Sequence, residues 1–316
     1  MGKPKDNQTW LEERLDYLTK NEVFSQLNSC NEKLIKTNFG AWTLLKEMAL
    51  AYYAPTYLTI LRKYNYIKQI NYLDMFAGSG IVGIDGLSKY YLGSPLVIKK
   101  TINKCFDNYF FIEEDLDKAK QLKRLLPEEN CFVKEGDANK VIDSILPMLS
   151  GNGNHTLIFI DPFAMEVEFE TVKKLSKIKC DLIITVSTEE IFRAVKQGLN
   201  NPSWNSQKVD LFFGNKEWKS ELSEIKSDEE VFKYYSNRIE KYASKKNPNT
   251  TIIQKTIDGH HYNILFTSTG GSGTRPKFFN IIDDFNKRIK NLSGDQITSY
   301  LKHYIEAKGS SLTDFY

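Results

Sequence analysis

The segment from Ile70 to Gly80 constrains the fold of this chain more than any other. An apolar run ends at Asp74, and a turn of small residues, ending in Gly78-Ser79-Gly80, follows closely. The two glycines would let backbone N–H groups approach a ligand at positions where a side chain would collide with it. Two close glycines often occur by chance, whereas the whole string after an apolar run is more specific. It predicts a strand that leads into a ligand-binding turn.

Short apolar runs alternate with amphipathic stretches through the middle of the chain, which is typical of an α/β fold. The predicted strands are Ile70–Met75, Tyr109–Glu113, Cys131–Glu135, Thr156–Asp161, Asp181–Val186 and Asn263–Ser268. Helical patterns lie near residues 94–104, 115–126, 138–149 and 168–178. Runs that are apolar on both faces suit the middle of a parallel sheet covered by helices. We therefore predict an α/β fold with a doubly wound, mostly parallel sheet.

The pattern divides the chain into four regions: an N-terminal helical region that packs on the core (1–65), the Rossmann-like core (66–190), a helical insertion or lid (191–250), and a C-terminal hairpin with terminal helices that completes the sheet (251–316). Pro55 should kink or split a helix over residues 41–64. Residues 81–93 read as an added loop, and Ser94 as the N-cap of the helix that follows. The hairpin strands are expected at Thr251–Ile257 and Tyr262–Thr269.

Acidic residues follow the strands in an order typical of nucleotide-binding sheets. Glu113 ends the second strand, where an acid accepts hydrogen bonds from ribose hydroxyls. Asp74 suits the amino group of a methionine-type ligand better than it suits a pyrophosphate, and Asp137 would face an adenine amino group. The pattern predicts S-adenosylmethionine as the cofactor. The predicted cofactor-binding residues are Lys46, Asp74, Phe76, Gly78, Gly80, Glu113 and Asp137.

Three of these residues have alternative interpretations. Glu113 could belong to the solvated acidic start of the next helix, together with Glu114 and Asp115. Asp137 could be an N-cap for the helix that follows it. Lys46 is either a surface residue with an extended side chain or a group that faces the carboxylate of the cofactor.

The turn Asp161-Pro162-Phe163 carries the predicted catalytic residues. In methyltransferases that act on nucleobase amines, a related Asp/Asn-Pro-Pro-aromatic turn holds the exocyclic nitrogen, and its aromatic ring stacks on the base. Asp161 and Phe163 would fill these roles, and Pro162 would stiffen the turn. The sequence departs from that pattern because it lacks the second proline, and Ala164 follows Phe163. The alternative is a turn that only lines the cofactor pocket.

Other features carry weaker signals. The four cysteines lack metal-ligand spacing and read as reduced thiols, and no metal site is predicted. His260-His261 reads as polar residues at a hairpin tip, and Arg275 and Lys277 as loop residues near the substrate. A net charge of +3 is neutral toward nucleic acid. The polar start and the absence of long apolar runs predict a cytoplasmic protein without a membrane partner.

The sequence resembles the three-Cys-motif partner family over about residues 40–285. The matching pieces are Lys46 with Ala51-Tyr-Tyr-Ala-Pro55, Leu73–Gly80, Leu92-Gly-Ser-Pro-Leu96, Phe111-Ile-Glu113, Phe159-Ile-Asp-Pro-Phe163 and Tyr262-Asn-Ile-Leu-Phe266. The resemblance implies a class I methyltransferase-like Rossmann fold, a bacterial or phage-associated origin, and an encoded partner protein that carries a three-cysteine motif. It does not imply a substrate.

These observations favour an S-adenosylmethionine-dependent methyltransferase that methylates a nitrogen, with a nucleobase in DNA or RNA as the acceptor. Two alternatives stay open. The chain could methylate a small molecule or a protein beneath a closed lid, or it could be a cofactor-binding module that acts through its partner without catalysis.

Overall fold

A computed structural model describes residues 9–11, 13, 34–40, 43–85, 90–242, 246–254, 261–268, 279–290 and 299. The strands in these residues are β1 (Thr37–Phe39), β2 (Gln69–Asp74), β3 (Ile81–Ile84), β4 (Tyr90–Leu92), β5 (Asn108–Glu113), β6 (Cys131–Glu135), β7 (Asn154–Ile160), β8 (Cys180–Val186), β9 (Lys246–Gln254) and β10 (His261–Ser268). The helices are α1 (Thr43–Leu61), α2 (Ser94–Leu96, continued by a π-helical turn over Val97–Thr101), α3 (Leu116–Leu125), α4 (Ala138–Leu149), α5 (Phe169–Leu175), α6 (Thr188–Asn200), α7 (Gln207–Phe213), α8 (Trp218–Glu221), α9 (Asp228–Tyr242) and α10 (Phe279–Lys290).

The larger sheet has seven strands in the order β6-β5-β2-β7-β8-β10-β9. All neighbouring pairs are parallel except those of β10, which runs antiparallel to both β8 and β9. The chain moves outward from β2 to β6, then returns to the other side of β2 with β7. Each of the six predicted strands is present, with its ends within two residues of the prediction.

Side chains of the central strands alternate between two apolar clusters, one on each face of the sheet. Tyr72 packs into one cluster with α1, α2, α3 and α10, whereas Leu73 packs into the other with helices α4 to α9. Phe159 and Ile160 divide in the same way. Because successive strand residues point to opposite faces, strands that are buried on both faces need apolar residues at every position. The prediction of a doubly wound sheet is confirmed.

Helix α1 runs unbroken through Pro55, so Pro55 does not split the helix, and a kink there stays a prediction. A proline in a helix interior removes one backbone hydrogen bond and costs about 3 kcal/mol. Burial of most of the helix offsets that cost, since residues on both sides of Pro55, such as Tyr53 and Tyr57, are buried. The predicted helix near residues 10–28 lies mostly outside the described residues. Its Trp10 is buried, with its ring centroid 5.7 Å from those of Tyr52 and Phe285.

A second sheet, of order β1-β3-β4, replaces the predicted loop over residues 81–93. Strand β1 pairs with β3 in parallel, and β3 with β4 antiparallel. These strands were not predicted because they have only three or four residues, too few to show an alternating apolar pattern. The N-cap prediction also needs correcting, because Gly93 caps α2 and Ser94 is its first residue. The small sheet brings Phe39 and Ser94 to the site described below.

Residues 188–242 are mostly helical, as predicted. Their buried side chains pack mainly on one face of the larger sheet. Ile191, Phe212 and Tyr235 join the apolar cluster on one face of the larger sheet. Strand β9 then begins at Lys246, earlier than the hairpin strand that was predicted from residue 251. The division of the chain into four regions stays a prediction. Among the described helices, none is long and apolar enough to cross a membrane.

Candidate active site

A cavity of about 620 Å³ opens at the carboxyl edge of the larger sheet. It lies where the strand order reverses, between β5 and β7 on either side of β2. In open α/β sheets, ligands bind in the crevice that such a reversal creates. The predicted residues that line the cavity are Lys46, Phe76, Gly78, Gly80, Glu113, Asp137, Asp161, Pro162 and Phe163. Helix α1 and the ends of the four strands β2, β5, β6 and β7 therefore bring nine of the ten predicted residues to one place.

The turn after β2 is held by the neighbouring strands. The Met75 N–H donates to the carbonyl of Phe159, and the Ala77 N–H to that of Ile112. Gly78 has a φ of +61°, and a Cβ added there would meet no atom within 4 Å. The turn therefore leaves open space at Gly78, on the wall of the cavity.

Gly80 serves a different purpose. Its φ is +81°, and a Cβ there would lie 3.1 Å from Cδ1 of Leu122 on α3 and 3.4 Å from Cγ of Leu96. A side chain would strain the backbone and crowd the packing of two helices. Gly80 is thus required by the fold behind the turn, whereas Gly78 keeps space free in front of it.

Glu113 is anchored at the edge of the cavity by two backbone donors. Its Oε2 accepts from the Gly78 N–H at 2.7 Å, and its Oε1 accepts from the Asp115 N–H at 3.0 Å. Asp115, rather than Glu113, caps helix α3 by accepting from the N–H groups of Asp117 and Lys118. These caps also lower the pKa of the Asp115 carboxyl. Glu113 is therefore fixed against the glycine turn, with its side chain on the cavity wall.

Asp74 is the predicted residue that the structure does not bring to the cavity. It is fully buried behind the turn, where it accepts from the Tyr72 hydroxyl and the Phe76 N–H, both at 3.2 Å. Burial raises its pKa to about 7, although a hydrogen bond from the Ser94 side chain opposes the shift. Its direct contact with a methionine-type amino group stays a prediction, and its present contacts organise the turn.

Lys46 and Asp161 form an ion pair in the cavity. The Lys46 Nζ lies 2.9 Å from Oδ1 and 2.6 Å from Oδ2 of Asp161, and the two side chains are 13% and 16% exposed. Lys46 is therefore not an extended surface residue. The pair joins α1 to the end of β7, across 115 residues of sequence. This contact could not be predicted from the sequence, because nothing in either motif specifies the distance between the two residues in the fold.

The Asp161-Pro162-Phe163 turn presents an aromatic ring at the mouth of the cavity. The Phe163 N–H donates to Oε2 of Glu166 at 2.9 Å, which closes the turn. The Phe163 side chain is 62% exposed and stacks against Phe39, with 5.9 Å between ring centroids and 27° between planes. Phe39 was not predicted as a site residue, because its strand β1 was not predicted either.

Asp137 has the capping role that was its alternative interpretation. Its Oδ1 accepts from the Asn139 N–H at 2.9 Å, at the start of α4. The Asn139 side chain in turn donates to the Glu166 carbonyl and accepts from the Glu168 N–H. Asp137 also lines the cavity, so contact with an adenine amino group stays a prediction.

Glu47 and Ser94 are cavity residues that the sequence analysis missed. Glu47 is 4% exposed, and the backbone N–H of Ser94 donates to it. Burial raises the pKa of Glu47 well above its usual range, and the nearby Asp161 raises it further. A Glu beside a predicted site Lys on a helix was the available signal, but one adjacent pair of charges is too common to be specific.

The cavity wall is rich in carboxylates. Its acidic residues are Glu47, Glu113, Glu114, Asp137, Asp161, Glu166, Glu168 and Glu190. Its basic residues are Lys46, Lys118 and Lys208. Helices α6 and α7 reach the cavity through Glu190, Lys208 and Leu211. This surplus of negative charge favours a ligand with positive charge over a phosphate group.

No protein-family model matches the chain, and no curated protein sequence matches it. Similar solved structures include protein LPL1258 from Legionella pneumophila, with 15% identity, a TM-score of 0.41, and coverage of 74% of this chain and 88% of that chain. The fibrillarin pre-rRNA processing protein of Methanococcus jannaschii has 14% identity and a TM-score of 0.39, covering 66% of this chain and 70% of that chain. The plantazolicin methyltransferase BamL, in a complex with S-adenosylhomocysteine (SAH), has 11% identity and a TM-score of 0.37, covering 96% of this chain and 90% of that chain.

The strand order of the chain itself identifies its fold. Numbered within the larger sheet, the order is 3-2-1-4-5-7-6 with the seventh strand antiparallel, which is the class I methyltransferase-like Rossmann fold expected from the sequence. The resemblance to the three-Cys-motif partner family stays a prediction. His260, Arg275 and Lys277 lie outside the described residues.

Proposed function

We propose that this chain is an S-adenosylmethionine-dependent methyltransferase that methylates a nitrogen atom of a nucleobase in DNA or RNA. One observation carries the proposal: a single cavity at the reversal of the strand order joins the glycine turn and Glu113 to the Asp161-Pro162-Phe163 turn. The glycine turn and Glu113 suit a nucleoside, and the Asp161-Pro162-Phe163 turn suits the group that receives the methyl.

The residues present fit S-adenosylmethionine. Open space at Gly78 leaves room for a ligand against the backbone, and Glu113 is positioned to accept hydrogen bonds from ribose hydroxyls. The surplus of carboxylates stabilises a cationic sulfur. The bound cofactor would supply an electrophilic methyl group. The protein would bind and orient both reactants and keep water from the reacting atoms.

Asp161 and Phe163 favour a methyl acceptor that is planar and carries an amino group. The Asp161 carboxylate would accept an N–H of the acceptor, direct the nitrogen lone pair, and take up the proton that the nitrogen loses. Phe163 offers an exposed aromatic ring at the cavity mouth for stacking on a base, and the half-buried Phe39 supports that ring. Lys46 would then share Asp161 with the acceptor and hold the carboxylate in place.

The surplus of carboxylates also favours a second candidate, an acceptor without phosphate groups. Such a small molecule or protein acceptor would meet less repulsion at the cavity wall than a nucleic acid would. The resemblance to the three-Cys-motif partner family adds a further hypothesis, that a partner protein with a three-cysteine motif brings the substrate. A module without catalysis would bind the cofactor and transfer nothing.

The experiment is a transfer assay with S-adenosylmethionine that carries a labelled methyl group. Wild type, Asp161→Asn and the control Asp143→Asn are each incubated with DNA, RNA, and protein and small-molecule extracts of bacterial cells. Asp143 lies on α4 and pairs with Lys174, away from the cavity. We expect label in nucleic acid for wild type and the control, with a loss of about 100-fold or more for Asp161→Asn.

The other outcomes separate the alternatives. Label in protein or small molecules, again lost with Asp161→Asn, would replace the nucleobase with the second candidate. Cofactor binding without transfer to any pool would favour the module without catalysis.

A further inference from the structure

Glu47 is a buried carboxylate in the cavity wall whose partners are incomplete. One contact comes from the backbone N–H of Ser94, whereas Oε2 has no hydrogen-bond partner among the residues that the structure describes. An unpaired oxygen on a buried carboxylate is costly, so a protein retains one where something else pairs with it. Glu47 lines the cavity, so a ligand there can provide that partner.

The groups around Glu47 leave room for one more positive charge. Asp161 and Asp74 both lie close enough to raise its pKa, and Lys46 is the cation that lowers it. Lys46, however, contacts both oxygens of Asp161. The ammonium group that acts on Glu47 is therefore already paired with another of these three carboxyl groups. A ligand that brings a second ammonium would relieve their repulsion.

We propose that Glu47 binds the ammonium group of the methionine part of S-adenosylmethionine, an inference that rests on the proposed function. Glu47 on α1 and Glu113 at the end of β5 line the same cavity, so one would hold the amino acid part and the other the ribose. Asp74, which the sequence favoured for this role, lies behind the glycine turn with donors of its own. Glu47 replaces it as the group that faces the ligand.

The test compares two ligands by calorimetry. SAH contains the amino acid part, whereas 5′-methylthioadenosine has the same nucleoside and lacks that part. Both are titrated into wild type, Glu47→Gln and the control Asp143→Asn, which removes one carboxylate from α4, away from the cavity. A charge-assisted hydrogen bond predicts that Glu47→Gln weakens SAH about 10- to 100-fold. We expect 5′-methylthioadenosine to bind wild type and both variants alike, and the control to bind SAH as wild type does.

Each other outcome has a distinct meaning. An equal loss for both ligands would overturn the proposal, because Glu47 would then act on the nucleoside or the fold. Unchanged SAH binding would overturn it as well. If wild type binds neither ligand, the proposed function fails rather than the role of Glu47.

A second readout follows the proton on Glu47. Because burial and its acidic neighbours raise its pKa, an arriving ammonium should displace a proton from it. Titration of SAH in two buffers of different ionisation enthalpy should show more proton release for wild type than for Glu47→Gln. Asp74, whose pKa is also raised, is present in both proteins, so the difference reports Glu47. Equal proton release would contradict the proposal.

Discussion

Asp74 shows how a buried carboxyl couples the site to stability. Burial raises its pKa from the ordinary value of 3.8 to about 7, so the folded chain binds a proton there that the unfolded chain releases. The free energy of unfolding should therefore fall as pH rises through this window, by up to about 4 kcal/mol at about 1.4 kcal/mol per pKa unit. Asp74→Asn cannot ionise and should lose this dependence.

Urea unfolding of wild type and Asp74→Asn at several values between about pH 4 and pH 8 measures the effect. The stability of the variant should rise relative to wild type toward the higher pH. Parallel pH profiles for the two proteins would mean that Asp74 is hydrated or paired in solution. Asp143→Asn, an exposed carboxyl on α4, controls for the loss of any one carboxylate.

Substitution of Gly78 or Gly80 by alanine allows a matched comparison of two positions in the same turn. Gly80→Ala should lower the free energy of unfolding by about 3 kcal/mol, since positive φ and contact with Leu122 both oppose a methyl group. Gly78→Ala should cost about 1–2 kcal/mol from φ alone. It should weaken SAH binding more than Gly80→Ala does, because its methyl group projects into open space at the cavity. Equal effects of the two changes on stability and binding would contradict the separate roles.

At the level of elements, substitution of Pro55 tests how helix α1 contributes to stability. Pro55→Ala restores a backbone donor and removes the clash of the ring with the preceding turn. We expect the free energy of unfolding to rise by about 1–3 kcal/mol, measured by urea denaturation, with SAH affinity unchanged. A loss of stability would show that packing around α1 requires the geometry that the proline imposes.

The sequence predicted the long central strands well, because burial on both faces leaves a continuous apolar signal. It could not predict β1, β3 and β4, whose few residues carry no period. Phe39 and the role of Ser94 were missed with them. Glu47 was missed for another reason: its importance depends on α1 meeting the end of β7, a contact that no local pattern encodes. The glycine turn was located correctly, but only the structure separates the packing role of Gly80 from the open space at Gly78.

At the level of the whole molecule, the cavity joins residues from α1, β2, β5 and β7, so ligand binding should stabilise the fold. A ligand at about 100 times its Kd adds about 2.7 kcal/mol to the free energy of unfolding. For a chain of 316 residues, with an entropy of unfolding of about 2.1 cal/mol/K per residue, that corresponds to a rise in Tm of roughly 3–5 °C with SAH. Scanning calorimetry checks the shift, and Glu113→Ala should reduce it. An unchanged Tm at high SAH concentration would contradict a single cavity built from these elements.

A crystal structure with SAH bound tests the central claim most directly. The account predicts the nucleoside against the glycine turn, with its ribose hydroxyls within hydrogen-bond distance of Glu113 and its sulfur directed toward Asp161. The ammonium group would lie beside Glu47. SAH bound at another place on the molecule, or in the cavity with its ribose away from Glu113, would contradict it.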